Sequence, residues 1–195
     1  MIYSQNEWDQ LKEIVVGSAS YANWPIHDPV FKLEKEKTTW KETPVPSGPV
    51  PQWIIDEANE DLDSLADTLT ELGVKVIRPE SMNFQTHDGM YNYCPRDRFL
   101  IYKDHIVDPA MMYPCREMER QCLHDIVDDA CHYHHMPRYE GLTMDAANVL
   151  RLNDKMLFLE SASGNQSAAR WLRHKFPEVN VEVCNFYSGK CRYVV

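Results

Sequence analysis

The chain has 195 residues, 44% of them apolar, which is enough for one sizeable core and gives no compositional sign of disorder. Thirty acidic side chains against twenty basic ones leave a formal net charge of -10, which repels phosphate backbones and anionic membranes and suits cationic or zwitterionic ligands. Nucleic acid is excluded as a partner, and no apolar run approaches the ~20 residues of a membrane span.

Met1 to Asp9 has neither a basic n-region nor an apolar h-region, so no export signal is expected. The six cysteines (Cys94, Cys115, Cys122, Cys131, Cys184, Cys191) then read as free thiols in a reducing compartment. The expected location is the cytoplasm.

Ile14-Val15-Val16 followed by Gly17 predicts a strand ending in a turn. From Ser18 to Gln52 six prolines and a charged patch at Lys32 to Lys37 predict a long loop with room for one short helix. Between Trp53 and Leu72, the residues Ile54, Ala58, Leu62, Leu65, Leu69 and Leu72 recur at three- and four-residue spacings, the pattern of an amphipathic helix. Gly73 sits where a C-terminal cap belongs, and Val74 to Ile77 reads as a strand before Pro79.

Two hairpins follow. Phe99 to Tyr102 and His105 to Val107 flank the two-residue turn Lys103-Asp104, and Val149 to Leu152 and Lys155 to Leu159 flank Asn153-Asp154. A helical stretch comes after each, Cys115 to Cys131 and then Asn165 to Phe176, and the second is followed by a strand from Val179 to Cys184. The recurrence of about fifty residues falls in the range of repeat architectures. The expected fold is α/β, a single domain over 1–195 built of three strand-strand-helix-strand repeats at about 1–80, 81–140 and 141–186. A fourth would open at 187–195, leaving an exposed edge there.

Three segments carry a resemblance. Asn6-Glu7-Trp8-Asp9-Gln10-Leu11-Lys12-Glu13-Ile14-Val15-Val16-Gly17 resembles the first strand of the amidinotransferases, whose members include glycine and inosamine-phosphate amidinotransferases. Gly89-Met90-Tyr91-Asn92-Tyr93-Cys94-Pro95-Arg96-Asp97 resembles the second unit of that family. Met144-Asp145-Ala146-Ala147-Asn148, Leu159-Glu160-Ser161 and Ala169-Arg170-Trp171-Leu172 resemble the third.

The resemblance implies a partial pentein, an α/β propeller whose full ring has five such repeats. The implied reaction moves an amidino group from arginine to an acceptor amine. A cysteine thiolate attacks the guanidinium carbon, ornithine leaves, and the amidino-cysteine passes its group on. No cofactor and no metal is expected. Asp145 matches the aspartate that orients the catalytic histidine, and Asp97, with Arg96 and Asn148 beside the two aspartates, is expected to bind substrate. Physical chemistry supports the carboxylates on its own, because a planar, permanently charged guanidinium is best recognised by acidic oxygens in a fork.

The family also brings a His-x-Asp motif and a late nucleophilic cysteine. No His-x-Asp triplet occurs in this sequence, and Tyr187 to Val195 stands where the motif would begin. The expectation is a chain inactive alone, one part of a split enzyme with a C-terminal partner, or a self-associating fragment. The rivals are a non-catalytic relic or guanidino-compound binding protein and an arginine deiminase-like hydrolase.

Plainer roles compete at each site. Asp97 and Asp145 suit turns and caps. Cys94 fits a small buried hydrophobe better than a nucleophile. Cys122, His124, Cys131, His132, His134 and His135 match no common zinc spacing and suit a solvated helix end, while Trp8, Trp24, Trp40, Trp53 and Trp171 suit core and loop anchors.

Overall fold

The computed structural model describes residues 2–37, 46–128 and 131–185. They group into two compact units. One comprises Met1–Asp9, Arg96–Met112 and Asp125–Val195, and the other Gln10–Pro95 and Tyr113–His124. The expected opening of a fourth repeat at 187–195, Trp40 and Cys191 lie outside the described residues.

In the second of these units β1 (Glu13–Val15) runs parallel to β4 (Lys75–Ile77), with Ile14 opposite Val76. The long connection between them contains the short antiparallel pair β2 (Asn23–Trp24) and β3 (Gly48–Pro49) and two helices, α1 (Pro29–Lys37) and α2 (Gln52–Glu71). The expected short helix is α1. Buried Asp28 caps it, with Oδ1 accepting from the Val30 and Phe31 N–H groups at 2.9 Å each.

Helix α2 packs on β1 and β4 through Leu62, Ala66 and Leu69, which meet Ile14, Val16 and Val76. Its buried stripe is rotated from the expected one. Ile55 is buried against Ala19 and Ala22, whereas Ile54, Leu65 and Leu72 are exposed. Gly73, at φ +82°, closes the helix as expected: its N–H bonds the Thr70 carbonyl at 2.9 Å and the Val74 N–H bonds that of Leu69 at 3.0 Å, the Schellman pattern.

The expected helix from Cys115 to Cys131 takes a different form. Pro114–Leu123 is a 3-10 helix, followed by the short α4 (His124–Asp128). Arg116, Glu119 and Cys122 are all buried at intervals of three, the period of a 3-10 helix, and Arg116 Nε bonds Glu119 Oε1 at 2.6 Å.

The other unit contains two three-stranded sheets of one plan. The strands β5 (Leu100–Tyr102) and β6 (His105–Asp108) form the first hairpin, and β7 (His132–His135) joins β6 in parallel. Likewise β8 (Val149–Leu152) and β9 (Lys155–Glu160) form the second hairpin, and β10 (Asn180–Asn185) joins β9 in parallel after α5 (Gln166–Lys175). In each sheet the second strand of the hairpin is central. Both expected turns are present, with Lys103 at φ +50° and Asn153 at φ +64°.

Strand β7 corrects the sequence reading, which placed His132, His134 and His135 at a helix end. The helix stops at Asp128, and these histidines pair with the buried β6, which draws an otherwise polar segment into the sheet. The first unit, read as strand, loop, helix and strand, has a sheet of two strands, β1 and β4.

The core of this unit gathers Met156, Phe158, Leu172 and Val181 with Tyr102 and Phe176, whose rings meet edge to face at 5.5 Å. Burying each such side chain contributes about 1.5 to 3 kcal/mol. Trp171 packs against it, but Trp8 and Trp53 are 60% and 63% exposed and anchor no core. None of the five described cysteines is in a disulfide, and no described helix is long and apolar enough to cross a membrane.

Candidate functional site

Asp97 lies in the first turn of α3 (Pro95–Arg98), directly before β5. Asp145 is the N-cap of a 3-10 turn, Ala146–Asn148, directly before β8. The two aspartates therefore occupy equivalent places ahead of equivalent hairpins, and both are partly buried.

Arg96 ties these places together. Its Nη1 donates to the Ala146 carbonyl at 2.9 Å and its Nη2 to the Val149 carbonyl at 2.8 Å, with Glu7 Oε1 at 3.5 Å. The guanidinium is thereby engaged with the backbone on either side of the Asp145 turn. Its geometry is that of a brace between the Asp97 helix and the Asp145 turn.

Asn148 is almost fully buried, and all four of its hydrogen-bonding positions are used. Nδ2 donates to the Leu159 carbonyl at 3.0 Å and to Ser161 Oγ at 2.9 Å; Oδ1 accepts from the Asp145 N–H and from Ser163 Oγ, each at 3.2 Å. The side chain at N3 reaching back to the N-cap backbone is the capping-box arrangement. Gly164 makes room for it, since a Cβ there would stand 2.7 Å from Asn148 Cγ.

No family model matches the chain. It is 33% identical to inosamine-phosphate amidinotransferase 1 of Streptomyces glaucescens over 89% of this chain and 59% of that protein. The solved inosamine-phosphate amidinotransferase of Streptomyces griseus superposes with a TM-score of 0.83 at 29% identity, covering 94% of this chain and 62% of the other. Over most of its length the chain is similar to amidinotransferases. It spans about three-fifths of the length of these relatives. A dimethylarginine dimethylaminohydrolase of Pseudomonas aeruginosa, at 14% identity, a TM-score of 0.64 and coverage of 90% of this chain and 61% of that one, shares the fold alone. The α/β fold expected from the sequence is thus that of solved amidinotransferase-family and related structures.

Two residues around the site were not singled out as site residues from the sequence. Glu7 and Arg151 form a two-bond fork, and Arg151 also donates from Nη1 to the Ile101 carbonyl at 2.8 Å and to Ser4 Oγ at 2.9 Å. Burial works to raise the Glu7 carboxyl, but hydrogen bonds and charge from Arg151 and the charge of Arg96 outweigh it and hold the group below its ordinary range. The N-terminal segment reaches both hairpin turns. Ser4 and Lys103 exchange backbone bonds of 3.1 and 2.6 Å, and the Asn153 N–H bonds the Gln5 carbonyl at 2.9 Å.

A second polar centre lies on the two faces of β6 and β7. On one face buried Asp108 accepts from the Arg98 guanidinium, from the Tyr133 hydroxyl and, at 3.0 Å, pairs with His135 Nδ1. On the other His105, His132 and His134 cluster beside Phe176. Burial, then the charges of Lys175, His105 and His132, push the His134 imidazole down to about 4, and burial lowers His105 as well.

Proposed function

We propose that these residues form the guanidinium-holding part of an enzyme that transfers an amidino group from arginine to an amine. The observation that carries the reading is the pair of carboxylates, Asp97 and Asp145, set ahead of matched hairpins and braced by Arg96, in a chain that matches inosamine-phosphate amidinotransferases over 89% of its length. Asp97 takes the guanidinium of arginine through charge-assisted bonds, each contributing roughly 1.5 to 3 kcal/mol net. Asp145 orients the group that moves the proton, and Asn148 fixes the turn on which Asp145 stands. The family reaction calls on a thiolate, arginine and an acceptor amine, and on no cofactor. Because the chain spans about three-fifths of its relatives, the reading assigns it this share of the site and not the whole reaction.

Arginine titrated against the chain, with Asp97→Asn and Asp145→Asn in parallel and citrulline as the uncharged control, tests it. Millimolar-order binding of arginine, weakened in both variants and absent for citrulline, is expected, since a carboxylate pair with few enclosing contacts offsets little of the entropy of association. Binding equal in the wild type and both variants would assign these aspartates to the fold alone.

A further inference from the structure

Four of the eight histidines fall on β6 and β7, and three of them face the same side. His105 and His132 stand directly opposite one another in the parallel register, their rings nearly parallel with centroids 4.6 Å apart. Asp104, the second residue of the preceding turn, turns its carboxylate toward both. Its Oδ1 is 3.6 Å from His105 Nε2 and its Oδ2 is 3.6 Å from His132 Nε2. One donor atom from each of the three lies within 4.8 Å of the others.

We propose that Asp104, His105 and His132 form a binding site for a divalent transition-metal ion, distinct from the Asp97 and Asp145 centre. A tetrahedral ion with bonds of about 2.0 to 2.2 Å separates its donors by roughly 3.3 to 3.6 Å, which is the spacing already present between the carboxylate and each imidazole. Closing the two stacked rings onto one ion takes a modest turn about χ2, a torsion with a broad minimum.

His134 supports the arrangement. Its Nε2 lies 2.8 Å from His105 Nδ1. With the proton on Nδ1, His105 donates to His134 and directs the lone pair of its Nε2 toward Asp104 and His132, the tautomer that a metal ligand needs. Phe176 packs edge-on against both rings and backs this pair with an apolar wall. Two imidazoles and one carboxylate select zinc, cobalt, nickel or copper over calcium and magnesium, which take oxygen ligands, and three protein ligands leave a coordination position for water or a further ligand.

The sequence concealed this set. Its members come from a turn and two strands that pair across 27 residues, so no short spacing links His132 to the adjacent Asp104 and His105, which lie outside the histidine-rich stretch.

The test uses cobalt(II) as the probe, titrated into the whole chain and followed by its visible absorption, with zinc(II) as competitor and thermal unfolding as a second readout. The wild type is expected to bind one equivalent with the intense bands of a four-coordinate site, and zinc to raise its unfolding midpoint. His132→Ala, at a half-exposed position that tolerates truncation, and Asp104→Asn, which keeps the shape of the turn, should each weaken cobalt binding by at least about tenfold. His124→Ala should bind as the wild type does. Exposed Cys131, next to His132, is the rival donor. No saturable binding, affinity unchanged in both His132→Ala and Asp104→Asn, or a cobalt–thiolate charge-transfer band lost in Cys131→Ser would overturn the site.

Discussion

Arg151 grips Glu7 across 144 residues of chain, Nε to Oε1 and Nη2 to Oε2, each at 2.7 Å. This fork holds the N-terminal segment against β8, and its partners are largely shielded from water, with side-chain exposures of 12% and 27%. Replacing Arg151 by methionine should therefore cost about 2 to 4 kcal/mol in urea unfolding. The exposed Lys75 and Glu13 pair is the contrast: Lys75→Ala should change stability by about 0.5 kcal/mol or less.

The same fork sets an acid limit. The folded Glu7 carboxyl titrates below its ordinary 4.5, so the unfolded chain takes up the proton first as pH falls. The contribution is complete above 4.5 and is lost as pH drops through the lower folded value. Unfolding free energy followed downward from pH 5 should show a drop in the wild type that is reduced in Glu7→Gln.

Gly164 and Asn148 should behave as one element. Gly164→Ala forces a methyl to within 2.7 Å of an amide fixed by four hydrogen bonds, and a loss of about 1 to 3 kcal/mol is expected. Asn148→Ala should lose about 2 to 4 kcal/mol because buried polar groups are left bare. In the double variant the clash is gone, so the two losses should not add. Additive losses would mean that Gly164 serves some other purpose.

Arg98 and Asp108 are fully buried together, and Asp108 is also met by Tyr133 and His135. Arg98→Ala strands a buried carboxylate, at a cost of about 3 to 5 kcal/mol, whereas the paired change Arg98→Met with Asp108→Leu should recover much of that loss. Chemical unfolding of the three proteins decides it.

His134 gives the protein a second pH dependence. Its folded value of about 4 lies below the ordinary 6.5, so between these limits the unfolded chain binds a proton that the folded one does not. Stability from this group is complete above 6.5, declines as pH falls and is gone near 4. His134→Gln should flatten the decline, and the His134 ring signals in a proton NMR titration should move only near the lower limit.

The two hairpins were legible because two-residue turns separate apolar runs, and α2 because its apolar spacing ends at a glycine. The exact buried stripe of α2 was not, since choosing Ile55 over Ile54 depends on Ala19 and Ala22, which nothing local reveals. His132-Tyr133-His134-His135 lacks the β-branched pattern of a strand, and only its distant partner β6 makes it one. Asp97 and Asp145 are candidates read from local motifs and their resemblance to a family, and the structure places each directly before a hairpin. Arg96 is expected at the site from its neighbourhood in sequence, whereas its bonds to the Ala146 and Val149 carbonyls exist only once residues fifty apart have met.

The N-terminal staple also imposes a schedule on synthesis. Residues 2–9 are made well before β8 and β9, and Asn6 finds Asn153 only after another 147 residues have been added, which takes on the order of 10 to 30 s at usual translation rates. Throughout that interval Glu7 lacks Arg151, its partner in the folded unit. The last stitch in this unit joins residues made far apart in time, so its assembly follows completion of the second hairpin and has the slow, long-range character of a high contact-order fold.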